Sequence, residues 1–127
     1  MTLYIDAGWV LEIQATHVPE DPSLRDWGAL HAAVERHRFE RFAGETYYEE
    51  TPTRAAVLLE TIVRLRPFKD YNGIIGATCA WAYCGLAGAP LRPPPGGMVQ
   101  LVRDIRGERG ERLDLGDVAR RLRDWKA

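Results

Sequence analysis

Residues 66–88 read RPFKDYNGIIGATCAWAYCGLAG, and this stretch decides the fold that the sequence predicts. Asp70 is its last charged residue, and no further charge occurs until Arg92, although 28% of the chain is Asp, Glu, Lys or Arg. Apolar or small residues occupy every angular position from Ile74 to Leu86. A helix that is apolar on all sides is normally buried. We therefore expect one buried central helix around which the rest of the chain packs.

A turn with several functional side chains precedes this helix. Asp70, Asn72 and Gly73 lie close together in it, and Asn72 is expected to cap the helix. Phe68 is expected to pack beneath the turn and anchor its shape. A helix N-terminus presents unpaired backbone N–H groups and the positive end of the helix dipole, which attract anions. If the protein carries out chemistry, we expect it at this turn.

The remaining chain predicts five further helices. Apolar residues at three- and four-residue spacings indicate helices over residues 3–16, 24–38, 98–105 and 114–125 and a further helix that is capped by Thr51 or Thr53 and ended by Pro67. Ser23 is expected to cap the second of these helices. Residues 39–50, FERFAGETYYEE, change to aromatic and β-favouring residues and predict a loop or a short irregular hairpin. Residues 89–97, APLRPPPGG, predict a stiff extended connection. The expected fold is an all-α bundle.

The composition limits the class of protein. A chain of 127 residues with 46% hydrophobic residues is long enough for one domain with a buried core. The net charge of −1 gives no indication of nucleic-acid binding. The uncharged run from Tyr71 to Leu91 has the length of a membrane span, but it contains four glycines and leads into a rigid proline turn. We therefore expect no membrane association, and the N-terminus lacks the layout of a signal peptide.

The cysteines and histidines give no sign of a metal site. Cys79 and Cys84 lie about 140° apart around the predicted helix, and their spacing fits neither a disulfide nor a zinc pattern. Two buried thiols indicate a reducing compartment, so we expect a cytoplasmic protein. His17, His31 and His37 are expected to be partly exposed helix residues.

The central stretch resembles the motif of the Fic and Doc (death-on-curing) family. That motif has the form His-Pro-Phe-x-Asp-Gly-Asn-Lys/Gly-Arg, and residues 66–74 read Arg-Pro-Phe-Lys-Asp-Tyr-Asn-Gly-Ile. Upstream, a Doc-type Arg-Asp-x-Gly-x-Leu pattern, a glycine-containing loop with Tyr and an Ala-Ala helix also match. These matching residues are Arg25, Asp26, Gly28, Leu30, Gly44, Tyr47, Ala55, Ala56 and Leu59. The resemblance covers about residues 20–125 and implies a Fic/Doc-like domain over residues 1–127 with a short flap loop or hairpin.

The resemblance also implies roles for single residues. Asp70 would hold a Mg²⁺ ion that bridges the phosphates of ATP or another nucleotide, and Asn72 and Gly73 would bind phosphate. The structural alternatives are a carboxylate stabilised by the helix dipole alone and a cap followed by a flexible first turn. Tyr47 and Tyr48 would lie on the flap that docks the target protein. The alternative for these two tyrosines is a surface loop pinned to the core by its aromatic side chains.

Two positions depart from the family motif. Arg66 stands where the family has its catalytic His, and a guanidinium cannot accept a proton near neutral pH. Ile74 stands where the family has a phosphate-binding Arg. Arg66 remains a good ligand for phosphate or carboxylate because it has a planar fork of donors. The candidate catalytic residues are accordingly Arg66, as an electrophilic clamp, and Asp70, as metal ligand or base.

Three functions agree with these features. The first is a Doc-like toxin, or a toxin-derived component, of a bacterial toxin–antitoxin system, with weakened or altered transfer of phosphoryl or nucleotidyl groups to protein hydroxyls. The second is an enzyme that uses a phosphorylated donor by a changed mechanism. The third is a non-catalytic protein-interaction module. As partners, the resemblance implies an antitoxin or another peptide in the groove and a target protein of the translation machinery, with no direct contact to nucleic acid.

Overall fold

Helices dominate the computed structural model, which describes residues 2–18, 20, 23–38, 41–42, 45–46, 51–108 and 110–127. The helices of this described part are α1 (Ala7–His17), α2 (Trp27–His37), α3 (Thr51–Leu65), α4 (Asn72–Leu86), α5 (Gly97–Arg106) and α6 (Leu115–Asp124). The prediction of an all-α fold is confirmed. Among the described residues, none of the helices has the length and apolar character needed to cross a membrane.

A short hairpin lies between α2 and α3. Its strands, β1 (Arg41–Phe42) and β2 (Glu45–Thr46), pair antiparallel. They fall within the stretch 39–50 for which the sequence predicts a loop or hairpin. Tyr47 and Tyr48, the predicted flap residues, lie outside the described residues.

Three helices begin next to an aspartate whose carboxylate accepts a hydrogen bond from the backbone N–H three residues later. The donor–acceptor distances are 2.8 Å for Asp6, 3.0 Å for Asp26 and 2.8 Å for Asp114. Such a cap pairs an N–H group that the helix leaves free and places negative charge at the positive end of the dipole. Because Asp6 is the cap, the predicted start of the first helix is too early. The second helix is capped by Asp26, so the predicted cap Ser23 is wrong.

The helix at the centre of the bundle is α3, so the prediction that the uncharged helix from Asn72 to about residues 85–88 is the buried central element is wrong. α3 packs against α2, α4, α5 and α6, and every residue from Arg54 to Val63 is buried. By contrast, α4 leaves Ile74, Trp81 and Leu86 between 50% and 64% exposed. α4 has apolar residues on all sides, but its neighbours cover only part of its surface.

Two charged residues of α3 are buried because each of them is paired, either with another part of the chain or within α3 itself. Nη1 of Arg54 donates to the carbonyl oxygen of His37 at 2.6 Å. The Glu60 carboxylate lies 3.6 Å from the Arg36 guanidinium and 3.5 Å from that of Arg64. A buried charge is tolerated only with such partners. Charge in the sequence of α3 is therefore compatible with its central position.

Small side chains allow α4 to pack closely on α3. A Cβ atom at Gly76 would lie 3.3 Å from Cδ1 of Leu59 and 3.4 Å from Cγ2 of Ile62. Ala80 and Cys84 follow on the same face and are fully buried. Both cysteines of the chain are free and buried, which confirms the prediction of two buried thiols. Burial raises the pKa of Cys84 to about 12, so this thiol stays protonated and unreactive at neutral pH.

His37, at the end of α2, anchors the N-terminal segment. Its Nε2 accepts a hydrogen bond from the backbone N–H of Ile5 at 3.0 Å, and its Nδ1 is hydrogen-bonded to the carbonyl oxygen of Val34. This arrangement needs a neutral imidazole with its proton on Nδ1. His37 is fully buried, so the prediction of a partly exposed residue is wrong here, whereas His17 and His31 are exposed.

We expect the free energy of unfolding to decrease as the pH is lowered below about 6.5. Burial lowers the pKa of His37, so the unfolded chain binds a proton at pH values at which the folded chain does not. The contribution of His37 is complete above its ordinary pKa of about 6.5 and is lost as the pH falls toward the lowered pKa. Urea unfolding at about pH 7.5 and about pH 5.5 measures the decrease.

Two glutamine variants test this assignment. His37→Gln should lower stability at about pH 7.5 and flatten the pH dependence, because glutamine does not titrate. His17→Gln changes an exposed histidine and should keep the wild-type pH dependence. The assignment is contradicted if His37→Gln and the wild type lose the same stability between the two pH values.

Candidate active site

The loop between α3 and α4, residues 66–71, is held against residues 23–26, which precede α2. The carbonyl oxygen of Pro67 accepts hydrogen bonds from two successive backbone N–H groups of that segment, at 2.7 and 2.9 Å. The backbone N–H of Lys69 donates to the carbonyl oxygen of Ser23 at 2.8 Å. The loop is thus positioned by strand-like pairing with a segment that is distant in sequence.

The side chain of Arg25 holds the same loop at its beginning. Its Nε donates to the carbonyl oxygen of Arg66 at 3.0 Å, and its Nη2 donates to that oxygen and, at 3.0 Å, to the carbonyl oxygen of Leu65. Arg66 has a φ of 52°, which is unfavourable for a residue other than glycine. Arg25 therefore stabilises a backbone conformation that Arg66 would seldom adopt without it.

Asn72 fixes the other end of the loop. Its Oδ1 accepts a hydrogen bond from the N–H of Phe68 and its Nδ2 donates to the carbonyl oxygen of Phe68, both at 2.9 Å. Both residues are buried, and the Phe68 ring belongs to the core. The N-cap of α4 is Tyr71, with a φ of 62°, so the predicted capping role of Asn72 is wrong. Asn72 holds the backbone of the loop with its oxygen and its nitrogen alike.

Two adjoining cavities open beside this loop. The first has a volume of about 530 Å³ and is lined by α4, α5 and the end of the loop. The second has a volume of about 460 Å³ and is lined by the loop, the end of α3 and the residues around the end of α5. The residues that line both cavities are Asp70, Tyr71, Arg106 and Glu108. We call the first the apolar cavity and the second the arginine cavity.

Four arginines line the arginine cavity, and one of them, Arg64, is already paired with other groups of the protein. Arg64 pairs with Glu60 and donates to a backbone carbonyl at 2.7 Å. Within the described parts of the chain, Arg66, Arg106 and Arg112 form no ion pair with a carboxylate within 4.0 Å. Several guanidinium groups around one cavity favour an anionic ligand, and their planar forks suit phosphate.

Arg106 lies beside the start of α4. A Cβ atom at Gly73 would be 3.0 Å from Nη2 of Arg106 and 2.8 Å from Cγ1 of Val102. Only glycine at this position lets α5 approach α4 so closely. The close approach places a cation near the positive end of a helix dipole, which is unfavourable unless an anion or water lies nearby. The sequence did not mark Arg106 or Arg112 as site residues, because no local motif contains them.

The two remaining motif positions occupy different surroundings. Ile74 is half exposed and lines the apolar cavity. Asp70 is exposed, and its Oδ1 accepts a hydrogen bond from the N–H of Tyr71 at 2.9 Å. A hydrogen bond to Glu20 raises the pKa of Tyr71. The described residues contain no group of three or more His, Cys, Asp or Glu side chains arranged to hold a metal ion.

Comparison with known proteins adds no family assignment. No protein-family model matches the chain, and no curated protein matches it significantly. The Fic/Doc resemblance therefore remains a prediction that depends on the motif residues in the sequence.

We expect Asn72→Ala to lower the free energy of unfolding by about 2–3 kcal/mol, because the buried N–H and carbonyl groups of Phe68 lose their partners. Urea denaturation measures the loss. Lys69→Ala alters an exposed side chain of the same loop and should change stability by less than about 0.5 kcal/mol. Equal losses in the two variants would show that the Asn72 amide does not hold the loop.

Proposed function

We propose that this protein is a Doc-like toxin, or a toxin-derived component of a bacterial toxin–antitoxin system, that binds a phosphate-bearing ligand beside the loop 66–71. One observation carries the proposal. The motif-like segment 66–74 joins α3 to α4 and contributes Arg66, Asp70 and Ile74 to the walls of the two cavities. A segment that resembles a nucleotide-binding motif thus borders space for a ligand, and cavities of several hundred Å³ are typical of small-molecule sites.

The binding of phosphate follows from the side chains of the arginine cavity. Arg66, Arg106 and Arg112 can each donate two hydrogen bonds to phosphate oxygens in a planar fork. Arg106 supplies from α5 a cation near the start of α4, close to Ile74, where the family motif has its arginine. We propose that Arg106 takes over the phosphate contact that the motif arginine would make.

The chemistry of transfer is proposed to be weakened, because neither cavity offers an imidazole. Transfer to a protein hydroxyl needs a group that removes the hydroxyl proton, and such help is worth about 10²–10⁴ in rate. No histidine is among the described residues that line either cavity. Arg66 has no lone pair to accept the proton. In an enzyme with a changed mechanism, Asp70 would be the base and Arg66 would orient the transferred group.

Asp70 and Glu108 are a donor set that suits Mg²⁺. Both carboxylates line both cavities, and protein sites commonly hold this ion by one or two carboxylates together with the phosphates of the ligand. When bound, the ion would neutralise phosphate charge. Asp70 would be the main protein ligand, because Glu108 already forms an ion pair with Arg103 at 3.4 Å.

A second candidate function is a non-catalytic interaction module that binds an antitoxin segment or another peptide. The apolar cavity supports it, because Ile74 is 50% and Val99 65% exposed along its wall. Exposed apolar side chains beside a groove often mark a protein contact. Binding of a small phosphate-bearing ligand would favour the first function over the second, since a peptide-binding module does not need such a ligand.

We expect isothermal titration calorimetry to detect binding of ATP or GTP in the presence of Mg²⁺. Arg106→Ala should weaken the affinity about 10–100-fold, because it removes charge-assisted hydrogen bonds worth about 1.5–3 kcal/mol. Arg120→Ala removes an exposed arginine on α6 and should leave the affinity unchanged. The proposal fails if no nucleotide and no inorganic phosphate gives heat or a thermal shift.

We expect the double variant Arg66→His with Ile74→Arg to gain transfer of a labelled phosphate or nucleotide to protein in a bacterial extract, because it restores the imidazole and the motif arginine. The matched control, Arg66→Ala with Ile74→Arg, lacks the base and should stay inactive. A folded double variant that transfers no label would show that residues 66–74 do not correspond to the family motif.

A further inference from the structure

We infer, on the basis of the proposed phosphate site, that the preferred ligand is a phosphomonoester with an aromatic or other apolar body. The phosphate lies in the arginine cavity, and the body lies between α4 and α5 in the apolar cavity. The resemblance implies ATP or another nucleotide, and this inference narrows the ligand to one with a single phosphate group.

The charge of the arginine cavity matches one phosphate group. Arg66, Arg106 and Arg112 supply three positive charges outside carboxylate ion pairs of the described chain, and Asp70 supplies one negative charge on the same wall. Glu108 is already paired with Arg103. The excess of about two positive charges equals the charge of about −2 that a phosphomonoester carries near neutral pH.

The apolar cavity adjoins the arginine cavity and shares four lining residues with it. Its lining between the two helices includes Ile74, Ala77, Met98, Val99 and Val102. Its volume of about 530 Å³ leaves room for a ring system. Covering apolar surface here contributes about 25 cal/mol per Å² removed from water, so an apolar body attached to the phosphate adds affinity.

A longer phosphate chain suits this arrangement poorly. A second and a third phosphate would have to share the arginine cavity with the first, and Asp70 and Glu108 also line that cavity. Their negative charge would exceed the excess positive charge of the arginine cavity. Repulsion and the loss of phosphate hydration both oppose such binding.

Calorimetry with four probes tests the inference: inorganic phosphate, phenyl phosphate, AMP and ATP, each with and without Mg²⁺. Phenyl phosphate and AMP should bind at least about tenfold more tightly than inorganic phosphate, the equivalent of about 1.4 kcal/mol. Without Mg²⁺, ATP should bind no more tightly than AMP. The inference is overturned if inorganic phosphate binds as well as phenyl phosphate, or if ATP without Mg²⁺ binds more tightly than AMP.

Two alanine variants on α4 distinguish an effect of the apolar cavity from a general effect of truncating an exposed side chain. Ile74→Ala should weaken phenyl phosphate several-fold and leave inorganic phosphate unchanged. Leu86→Ala truncates a similarly exposed side chain on the same helix but outside both cavities, and it should change neither affinity. If no probe binds, the proposed function fails. If inorganic phosphate binds without any preference for an attached apolar body, only the inference about the body fails.

Discussion

The backbone pairing between residues 23–26 and 66–71 is the contact on which the candidate site depends. It turns the chain from the end of α3 into α4 and, together with Arg25, keeps Arg66 in its left-handed conformation. Asn72 completes the support by pairing with the backbone of Phe68. The polar groups of the loop backbone are therefore largely used within the protein, and the loop has a fixed shape. The loop can therefore contact a ligand mainly through its side chains, chiefly that of Arg66.

The charges of the site come from three separate parts of the chain. Arg66 belongs to the loop, Arg106 ends α5, and Arg112 follows α5 by a few residues. All three are exposed, so water and salt screen their mutual repulsion when no ligand is bound. An anion would replace that screening with directed, charge-assisted hydrogen bonds. Such a cluster of exposed arginines lowers the stability of the fold only slightly and remains available to bind an anion.

Local patterns predicted the helices well and their arrangement less well. The predicted third helix, capped by Thr51 or Thr53 and ended by Pro67, agrees closely with α3, because apolar spacing and a terminating proline are local signals. The start of α2 was misplaced because Ser23 and Asp26 are both good caps, and the bridge between Leu24 and Phe68 keeps the chain extended up to Asp26. The central position was assigned to α4 instead of α3 because the sequence does not show that the charged residues of α3 have partners that allow their burial.

By itself, the sequence determined that the chain is helical and that a motif-like loop precedes an uncharged helix. Capping residues, apolar spacing and prolines act between neighbours, so a linear pattern records them. Only the tertiary structure decided that Arg106 and Arg112 share a cavity with Arg66. Both arginines lie far from Arg66 in the chain, and Arg106 reaches the loop because α5 packs across Gly73 at a distance that no larger side chain would allow.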